Sequence, residues 1–431
     1  MRIVVRAHDA RLARDAQGQL AAAGVNAQAL VGAYRPHPEG EDITIAPIGD
    51  EAGAAALAEA AGASAQPPLA VLAGLPQTQP PGHSPHQTFS GAIALDAPGK
   101  LLKAQVAAWM RVAVAEEERA RRAATAASFS LPAPKPLEPR ALKALYIGAP
   151  HAMFLTLERA LSAHGCVFSA AFSSYCGFDH LHDEVFDAVV LNGVQDPASA
   201  LSLCAALRRN ASLCLIPTML VVAQGDAKTS EAAIERRASA VAFANEPCGA
   251  SLGWLLEAIR RDRLRRGAEH DIRALRDMMG EPRTGLFKRD AFDAHLGRLA
   301  SDHHASGRPL SLSALRVLPA HGARQPAEEV WKRGFGEIAS LSARLMRECD
   351  TGAAIGADFI AIALPATRLQ GAKRTAERIA AVAECTAFAS GEGGAGPLVF
   401  EQHAVELQPG ESGLAMLARA LRALDAESIP A

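Results

Sequence analysis

Short apolar runs alternate with stretches of helical period through the first half of the chain. The pattern predicts strand Ile3–Val5, helix Ala10–Ala22, strand Ile43–Ile45, helix Ala52–Ala61, strands Leu69–Leu72 and Ala92–Leu95, and a long helix from Lys100. The order then recurs: strand Ala144–Ile147, helix Ala152–His164, strand Ala188–Leu191, helix Ala198–Arg209, strand Pro217–Val222, helix Glu231–Ala238, strand Ala240–Ala244 and a helix from Ser251. Runs such as Asp187-Ala-Val-Val-Leu191 lack polar alternation, as strands buried on both faces should. A duplicated α/β unit of the flavodoxin-type, doubly wound kind is expected. The helix from Ser251 carries Leu252, Leu256, Ile259, Ile272, Leu275 and Met279 at helical spacing, which offers a seam for a partner helix. The alternative is a solvated connecting helix, since Arg260, Arg261, Arg263, Arg265 and Arg266 crowd its middle. Beyond it the pattern mixes helix Phe292–Ser301, strand Leu310–Val317, helix Val330–Arg347 and a hairpin around Ala354–Leu364.

Two proline-rich stretches divide the chain, Gln77 to His86 and Ala123 to Pro139. The expected organisation is a first α/β domain over 1–122, a linker over 123–140, a second α/β domain over 141–264, a helical linker over 265–280 and a third domain over 281–431. The length of 431 residues fits this count at roughly 150 residues per domain. Lys and Arg number 44 against 46 Asp and Glu, so a large polyanion such as nucleic acid is not an expected partner, although a small anion needs only a few arginines. No apolar run reaches the ~20 residues of a membrane span, and the chain starts on a strand-like run with no signal-peptide core, so a cytoplasmic location is expected. Seven cysteines without a C-x-x-C pair read as reduced, mostly packed thiols, and no metal site is expected. His180-Leu-His182-Asp183 reads as a polar loop before a strand, His303-His304 as a solvated helix end, and Gly391 to Gly396 as a turn. Trp109, Trp254 and Trp331 fall on separate helices and read as packing residues.

In the second unit, Phe186-Asp187-Ala-Val-Val-Leu-Asn192 resembles the third strand of response-regulator receiver domains, where an aspartate at the strand end accepts phosphate. Here Asn192 holds that position, and an amide is a poor nucleophile. The acidic pair that receivers use for Mg²⁺ is replaced by Gly148-Ala149, and their lysine before proline by Glu246-Pro247. In the first unit the third strand ends at either Pro47 or Asp50, and Asp9 with Asp50 would make at best a crippled acidic pocket. Both units are therefore expected to be receiver-like packing and dimerisation modules.

The third domain resembles a GGDEF domain, the nucleotidyl cyclase-like α/β fold of diguanylate cyclases. The landmarks are Thr284-Gly285-Leu286, Gly307-Arg-Pro-Leu-Ser311, the signature loop Gly356-Ala357-Asp358-Phe359-Ile360, and Ala376-Glu-Arg-Ile379. Only Gly356 and Asp358 of the signature survive in place. Active cyclases hold two Mg²⁺ between a first-strand aspartate and the acidic loop; the strand position here is Arg316, and Phe359 removes a further carboxylate. The guanine-reading positions fall near Arg324 and Lys332-Arg333. By the resemblance, catalysis is not expected and there is no catalytic cofactor.

Nine and six residues before Gly356 stand Arg347 and Asp350, the spacing of the R-x-x-D site at which GGDEF domains bind their product, cyclic di-GMP. Arg6 to Asp9 and Arg422 to Asp425 match the same pattern, so its weight comes from registration against the loop. Arg374 and Arg378 fall where family members add cationic contacts. A guanidinium fork suits phosphate oxygens or the O6/N7 edge of guanine, and a carboxylate can accept from guanine N1–H and N2–H. The whole layout resembles the PleD-type cyclases. Its degenerate branch implies a cyclic di-GMP effector and homodimer at the cell pole, a scaffold that helps deliver CtrA and its adaptor RcdA to the ClpXP protease. A weakly active cyclase and a ligand-independent dimeric scaffold are the alternatives.

Overall fold

The computed structural model of the protein describes residues 2–32, 42–50, 53, 57, 69–74, 89–323, 326–390 and 397–427. The expected helix Ala52–Ala61, the run Gln77 to His86, Arg324 and the turn Gly391 to Gly396 lie wholly or largely outside the described residues. The chain divides into two compact units, one of Met1–Ala113 with Leu137–Gly267 and one of Val114–Pro136 with Ala268–Ala431.

The first unit holds two parallel five-stranded sheets of the same winding. Strands β1 (Ile3–Ala7), β2 (Gln28–Val31), β3 (Ile43–Pro47), β4 (Leu69–Ala73) and β5 (Gly91–Ile93) lie in the order β2-β1-β3-β4-β5. Strands β6 (Leu142–Ile147), β7 (Cys166–Ala171), β8 (Ala188–Asn192), β9 (Thr218–Val222) and β10 (Ala240–Phe243) repeat it as β7-β6-β8-β9-β10. This 2-1-3-4-5 order is the flavodoxin-type winding. Two edge strands escaped the sequence pattern, β2 and β7: both are partly open to solvent, with Gln28, Val31 and Val167 exposed, so they need not form a uniform apolar run. Strand β3 ends at Pro47, and β9 starts after Pro217, which has no N–H to give the ladder.

The helices follow their caps. Helix α1 (Ala10–Ala22) starts on Asp9, whose carboxylate accepts the Arg11 N–H, and long helix α2 runs over Gly99–Ser128. Helix α3 (Met153–Ser162) covers β6, and α4 (Ser174–Asp183) starts on a Ser173 cap. The His180 to Asp183 segment is thus the last turn of a helix, not a loop, because that cap seeds a helix the sequence pattern did not separate from its surroundings. Helices α5 (Pro197–Arg209) and α6 (Ala227–Glu235) begin on Asp196 and Asp226, and α7 spans Ala250–Met279.

Two expectations need correction here. Helix α2 continues through Ser128, so the first residues of the expected linker are helical: the alanine-rich run favours helix, and Ala126 is buried in the core of the second unit. The apolar seam of α7 is occupied by its own chain. Leu252 and Ile259 pack on β6 and β8 residues, while Leu275 and Met279 enter the second unit's core and Ile272 packs with Ala115 and Ala268. Its arginines are not a solvated run either. The carboxylate of Asp187, fully buried, accepts from Arg140 at 2.7 Å, Arg263 at 2.9 Å, Arg266 at 2.5 Å and the Lys143 N–H at 3.0 Å.

The second unit is a βαββαβ domain with an antiparallel sheet. Helix α8 (Arg289–Ser306) ends at Gly307, φ +62°, and leads into β11 (Leu310–Pro319). Helix α9 (Glu328–Leu345), the hairpin β12 (Thr351–Ile355) and β13 (Phe359–Pro365), helix α10 (Leu369–Glu384), short helix α11 (Ala387–Ser390), strand β14 (Leu398–Glu406) and helix α12 (Gly413–Glu427) follow. The sheet order is β12-β13-β11-β14, the ferredoxin-like arrangement. One apolar layer, with Phe292, Leu312 and Met416, lies on one face and another, with Ile338, Ile360 and Ile379, on the other. His303 is buried, contrary to the solvated helix end expected of it. Its ring bridges the Leu299 carbonyl at 2.7 Å and the Ala366 N–H at 3.2 Å, and burial lowers its pKa to about 4.

Burial alone would raise the pKa of Asp187, but the hydrogen bonds from Arg263, Lys143 N–H and Arg266 outweigh it and hold the carboxyl below its usual range. Stability from this cluster is therefore present above the unfolded value near 3.9 and is lost as pH falls through the folded value. Asp187→Asn, which strands three guanidiniums, is expected to cost about 2 kcal/mol at pH 7 after discounting for their partial exposure. Urea unfolding checks this; an unshifted midpoint would mean that the arginines are satisfied by water.

Candidate functional site

Helix α9 ends at Leu345, and the chain turns through Arg347 to Asp350 before entering β12. The turn closes on itself: the Asp350 N–H donates to the Arg347 carbonyl at 3.0 Å, and the Asp350 carboxylate accepts the Arg347 N–H at 2.9 Å. Asp350 is buried, which pushes its carboxyl up to about 6 against the opposing pull of the Arg347 N–H and the Arg347 and Arg122 charges. Arg347 is exposed. Both residues line a cleft of about 390 Å³ together with Arg276, Arg283 and Arg344. Among the described residues, the guanidiniums of Arg344 and Arg347 form no hydrogen bond or ion pair, whereas Arg276 leans on Glu348 at 3.9 Å.

Of the two α10 arginines, Arg378 reaches this end of the domain. Its Nη2 donates to the Leu345 carbonyl at 2.9 Å, on the last residue of α9. Arg374 lies one turn earlier, exposed, and does not line the cleft. Sequence reasoning missed Arg276 and Arg283, which come from other segments, and Arg344, which stands three residues before Arg347 but belongs to no motif. The opening motif explains one of them. Gly285, φ +72°, turns the chain so that the Leu286 N–H meets the Thr284 hydroxyl at 3.2 Å, and Arg283 lies along Gly336, where a Cβ would come within 3.1 Å of its Nε.

The turn is held from beneath by a residue from α2. The Arg122 guanidinium, 1% exposed, donates to the carbonyls of Asp350 at 2.8 Å, Glu348 at 3.0 Å and Ile272 at 3.2 Å, and to the Thr351 hydroxyl at 3.1 Å. Its Nε bonds the buried Glu118 carboxylate at 2.7 Å, and its face lies 5.3 Å from the Phe287 ring centroid. Glu118 also takes Arg121 at 2.6 Å and His295 Nε2 at 3.0 Å. Burial would raise Glu118, but His295 and the two guanidiniums hold it well below the usual carboxylate range. Burial lowers His295, against the opposing pull of the Glu118 carboxylate. In the sequence, the four-residue spacing of Glu118 and Arg122 allows a helical pair but does not tell that it is buried.

The signature loop Gly356-Ala357-Asp358 joins β12 to β13, with Ile355 paired to Phe359, and Ile360 is buried in the core. Arg316 of β11 lies across it: its Nε is 3.3 Å from the Asp358 carboxylate, its Nη1 is 3.4 Å from Asp425, and its guanidinium stands 4.9 Å from the Phe359 centroid. Trp331 Nε1 donates to the Ala357 carbonyl at 2.9 Å. No group of three or more His, Cys, Asp or Glu suited to a metal ion occurs among the described residues. The guanidinium already on Asp358 is a poor neighbour for a divalent cation; two unit charges at 4 Å repel by about 4 kcal/mol at an effective dielectric of 20, and the ion carries two.

The positions likened above to those of receivers are also closed by hydrogen bonds. The Asn192 amide donates to the Ala149 carbonyl at 2.9 Å and to Gln195 Oε1 at 2.8 Å, while its oxygen accepts the Val194 N–H at 3.0 Å. In the first sheet, the buried Asp50 carboxylate accepts the N–H groups of His8 and Gly53, and Asp9 caps α1.

No protein-family model and no curated protein matches the chain. Among solved structures, it is similar to the GGDEF domain of DgcB from Caulobacter crescentus in complex with c-di-GMP, at 23% identity over 35% of this chain and 88% of that one, TM-score 0.29. It is similar also to diguanylate cyclase SiaD in complex with its activator SiaC from Pseudomonas aeruginosa, at 22% identity over 42% and 74%, TM-score 0.30. A putative response regulator from Chloroflexus aurantiacus aligns at 18% identity over 27% of this chain and 99% of its own, TM-score 0.25.

Replacing Arg122 by Met leaves the Glu118 carboxylate and the Glu348 and Asp350 carbonyls short of their donor in a buried place. The expected cost is about 3–5 kcal/mol in urea unfolding, with Arg122→Lys recovering less than half because an ammonium cannot span that set. Equal stability of wild type and Arg122→Met would show that the turn does not need this support.

Proposed function

We propose that the protein is a non-catalytic cyclic di-GMP effector, with the dinucleotide bound in the cleft at Arg347 and Asp350. The observation that carries this reading is the closed turn itself, which brings an exposed, unpaired guanidinium and a buried carboxylate to one cleft among three further arginines. Arg347 and Arg344 supply phosphate or O6/N7 donors, and ionised Asp350 supplies the acceptor for guanine N1–H and N2–H. Arg378 stands at the end of α9 as a further donor, while Arg374 would need its side chain to swing towards the ligand. The ion pair between Arg316 and Asp358 supports the loss of cyclase activity.

The finer role rests on resemblance to PopA, a degenerate paralogue of the PleD-type cyclases. On that resemblance the protein is a homodimeric scaffold at the cell pole that recruits CtrA and RcdA to ClpXP when ligand is bound. Among the described residues no helix is long and apolar enough to cross a membrane. Pull-down of CtrA and RcdA with and without cyclic di-GMP tests this role, and equal recovery in both conditions favours the ligand-independent scaffold.

Calorimetry on the full chain is expected to give saturable cyclic di-GMP binding that Arg347→Ala weakens at least tenfold. Equal affinity in both proteins rejects this site, and product formation from GTP with Mg²⁺ rejects the non-catalytic reading. The pH profile is a second test. With the Asp350 carboxyl raised to about 6, the free protein carries a proton there at pH 5 that the ligand must displace. Its charged neighbours are Arg122, Arg347 and Glu118, and Glu118, held well below the usual carboxylate range, stays ionised here. Affinity is therefore expected to fall about tenfold from pH 7 to pH 5, and Asp350→Asn to flatten that slope.

A further inference from the structure

The first unit contains a second cationic cavity, of about 270 Å³, whose walls come from α2, the C-terminal ends of α5 and α6, and α7. Its charged lining includes Arg111, Arg208, Arg237, Arg261 and Arg265 against a single carboxylate, Asp262. Lys100 and Lys103 add to the excess. Asp262 is already shared, at 2.7 Å from Arg265 and 2.9 Å from Arg266, and Lys100 is paired with Glu235 at 2.7 Å.

The remaining cations have little to balance them. Arg208 turns its two terminal nitrogens to the Cys214 and Ile216 carbonyls and the Thr218 hydroxyl, and its buried Nε has no partner. Arg261 lies over the Trp109 ring, 5.8 Å from its centroid, and burial lowers its pKa to about 10 in spite of Glu257, with Arg111 adding to the effect. Burial, then the charges of Arg237 and Arg265, lower Arg111 in the same direction. Among the described residues, the guanidiniums of Arg111 and Arg237 form no hydrogen bond or ion pair. Guanidiniums remain charged in proteins, so like charges stand together in a recess where they outnumber the carboxylate they share.

We propose that this cavity is a binding site for a small polyphosphate anion, held by the forks of Arg111, Arg237 and Arg261 with Lys103 beside them. Several guanidinium forks suit tetrahedral phosphoryl oxygens, and the excess of positive charge asks for more than one negative charge. The volume falls below the ~300 Å³ at which pockets for larger organic ligands begin. The lining has no aromatic side chain for a base to stack on; Ala104, Ala107 and Ala108 form the apolar part. A pyrophosphate-sized group, free or as the end of a nucleoside triphosphate, is the occupant this chemistry fits. The site is separate from the Arg347 cleft, and its failure would leave the cyclic di-GMP reading untouched.

Calorimetry and thermal unfolding of the full chain at low ionic strength, with pyrophosphate as the probe, test the proposal. The expected result is one saturable site per chain and an unfolding midpoint that rises with pyrophosphate concentration. Arg111→Ala is expected to weaken binding at least tenfold, and Arg347→Ala to leave it unchanged. If Arg111→Ala does not fold, Arg237→Ala, at an exposed position, is expected to weaken binding in the same direction. Competition by GTP for the same site, tighter than pyrophosphate, assigns a nucleotide tail as the source; weaker competition assigns the free anion. No saturable binding to wild type, or equal affinity in wild type and Arg237→Ala, overturns the proposal.

Discussion

The contact between the Arg122 guanidinium and three main-chain carbonyls is the constraint on which the candidate site rests. A turn that leaves a helix and enters an edge strand has carbonyl groups that neither element satisfies, and here they face the interior. One planar side chain with five N–H donors meets that demand from a single position. The arrangement is possible only because Glu118 neutralises the charge next to it and because helix α2 runs on past the first sheet into the second unit. Residues distant in the chain thereby fix the attitude of Arg347 and Asp350.

Charge balance also distinguishes the two ends of the β12–β13 hairpin. At the signature loop a guanidinium occupies the neighbourhood where a cyclase concentrates carboxylates around metal ions, and Phe359 supplies a ring for that guanidinium to lie on. At the R-x-x-D turn the balance is reversed, with cations exposed and one carboxylate withheld from water. In the proposed reading, synthesis and sensing separate cleanly because they draw on different ends of the β12–β13 hairpin: the signature loop lies between the two strands and the sensing turn precedes the first.

Much of the fold was legible from the chain alone. The central strands β3, β4, β6, β8 and β9 are nearly uninterrupted apolar runs, and burial on both faces leaves no other pattern for them. Edge strands β2 and β7 were not legible, because solvent on one side permits Gln28 and Val167 alike. Of the candidate site, Arg347 and Asp350 were found through their distance from Gly356, and Arg378 through its place on the next helix. Arg276 and Arg283 were hidden because convergence in space leaves no spacing in sequence, and Arg344, three residues before Arg347, because an arginine in a last helical turn looks solvated. Burial of charge was the other blind spot: Glu118, Arg122, Asp187 and His303 all look like surface residues until their partners are known.

The Asn192 amide is matched to its surroundings in the same way. Its nitrogen faces the Ala149 carbonyl, and Tyr146 donates its hydroxyl to that same oxygen at 2.7 Å. A carboxylate at this position would set an acceptor against an acceptor, so the end of β8 is wired for an amide and an aspartate there would carry a folding penalty.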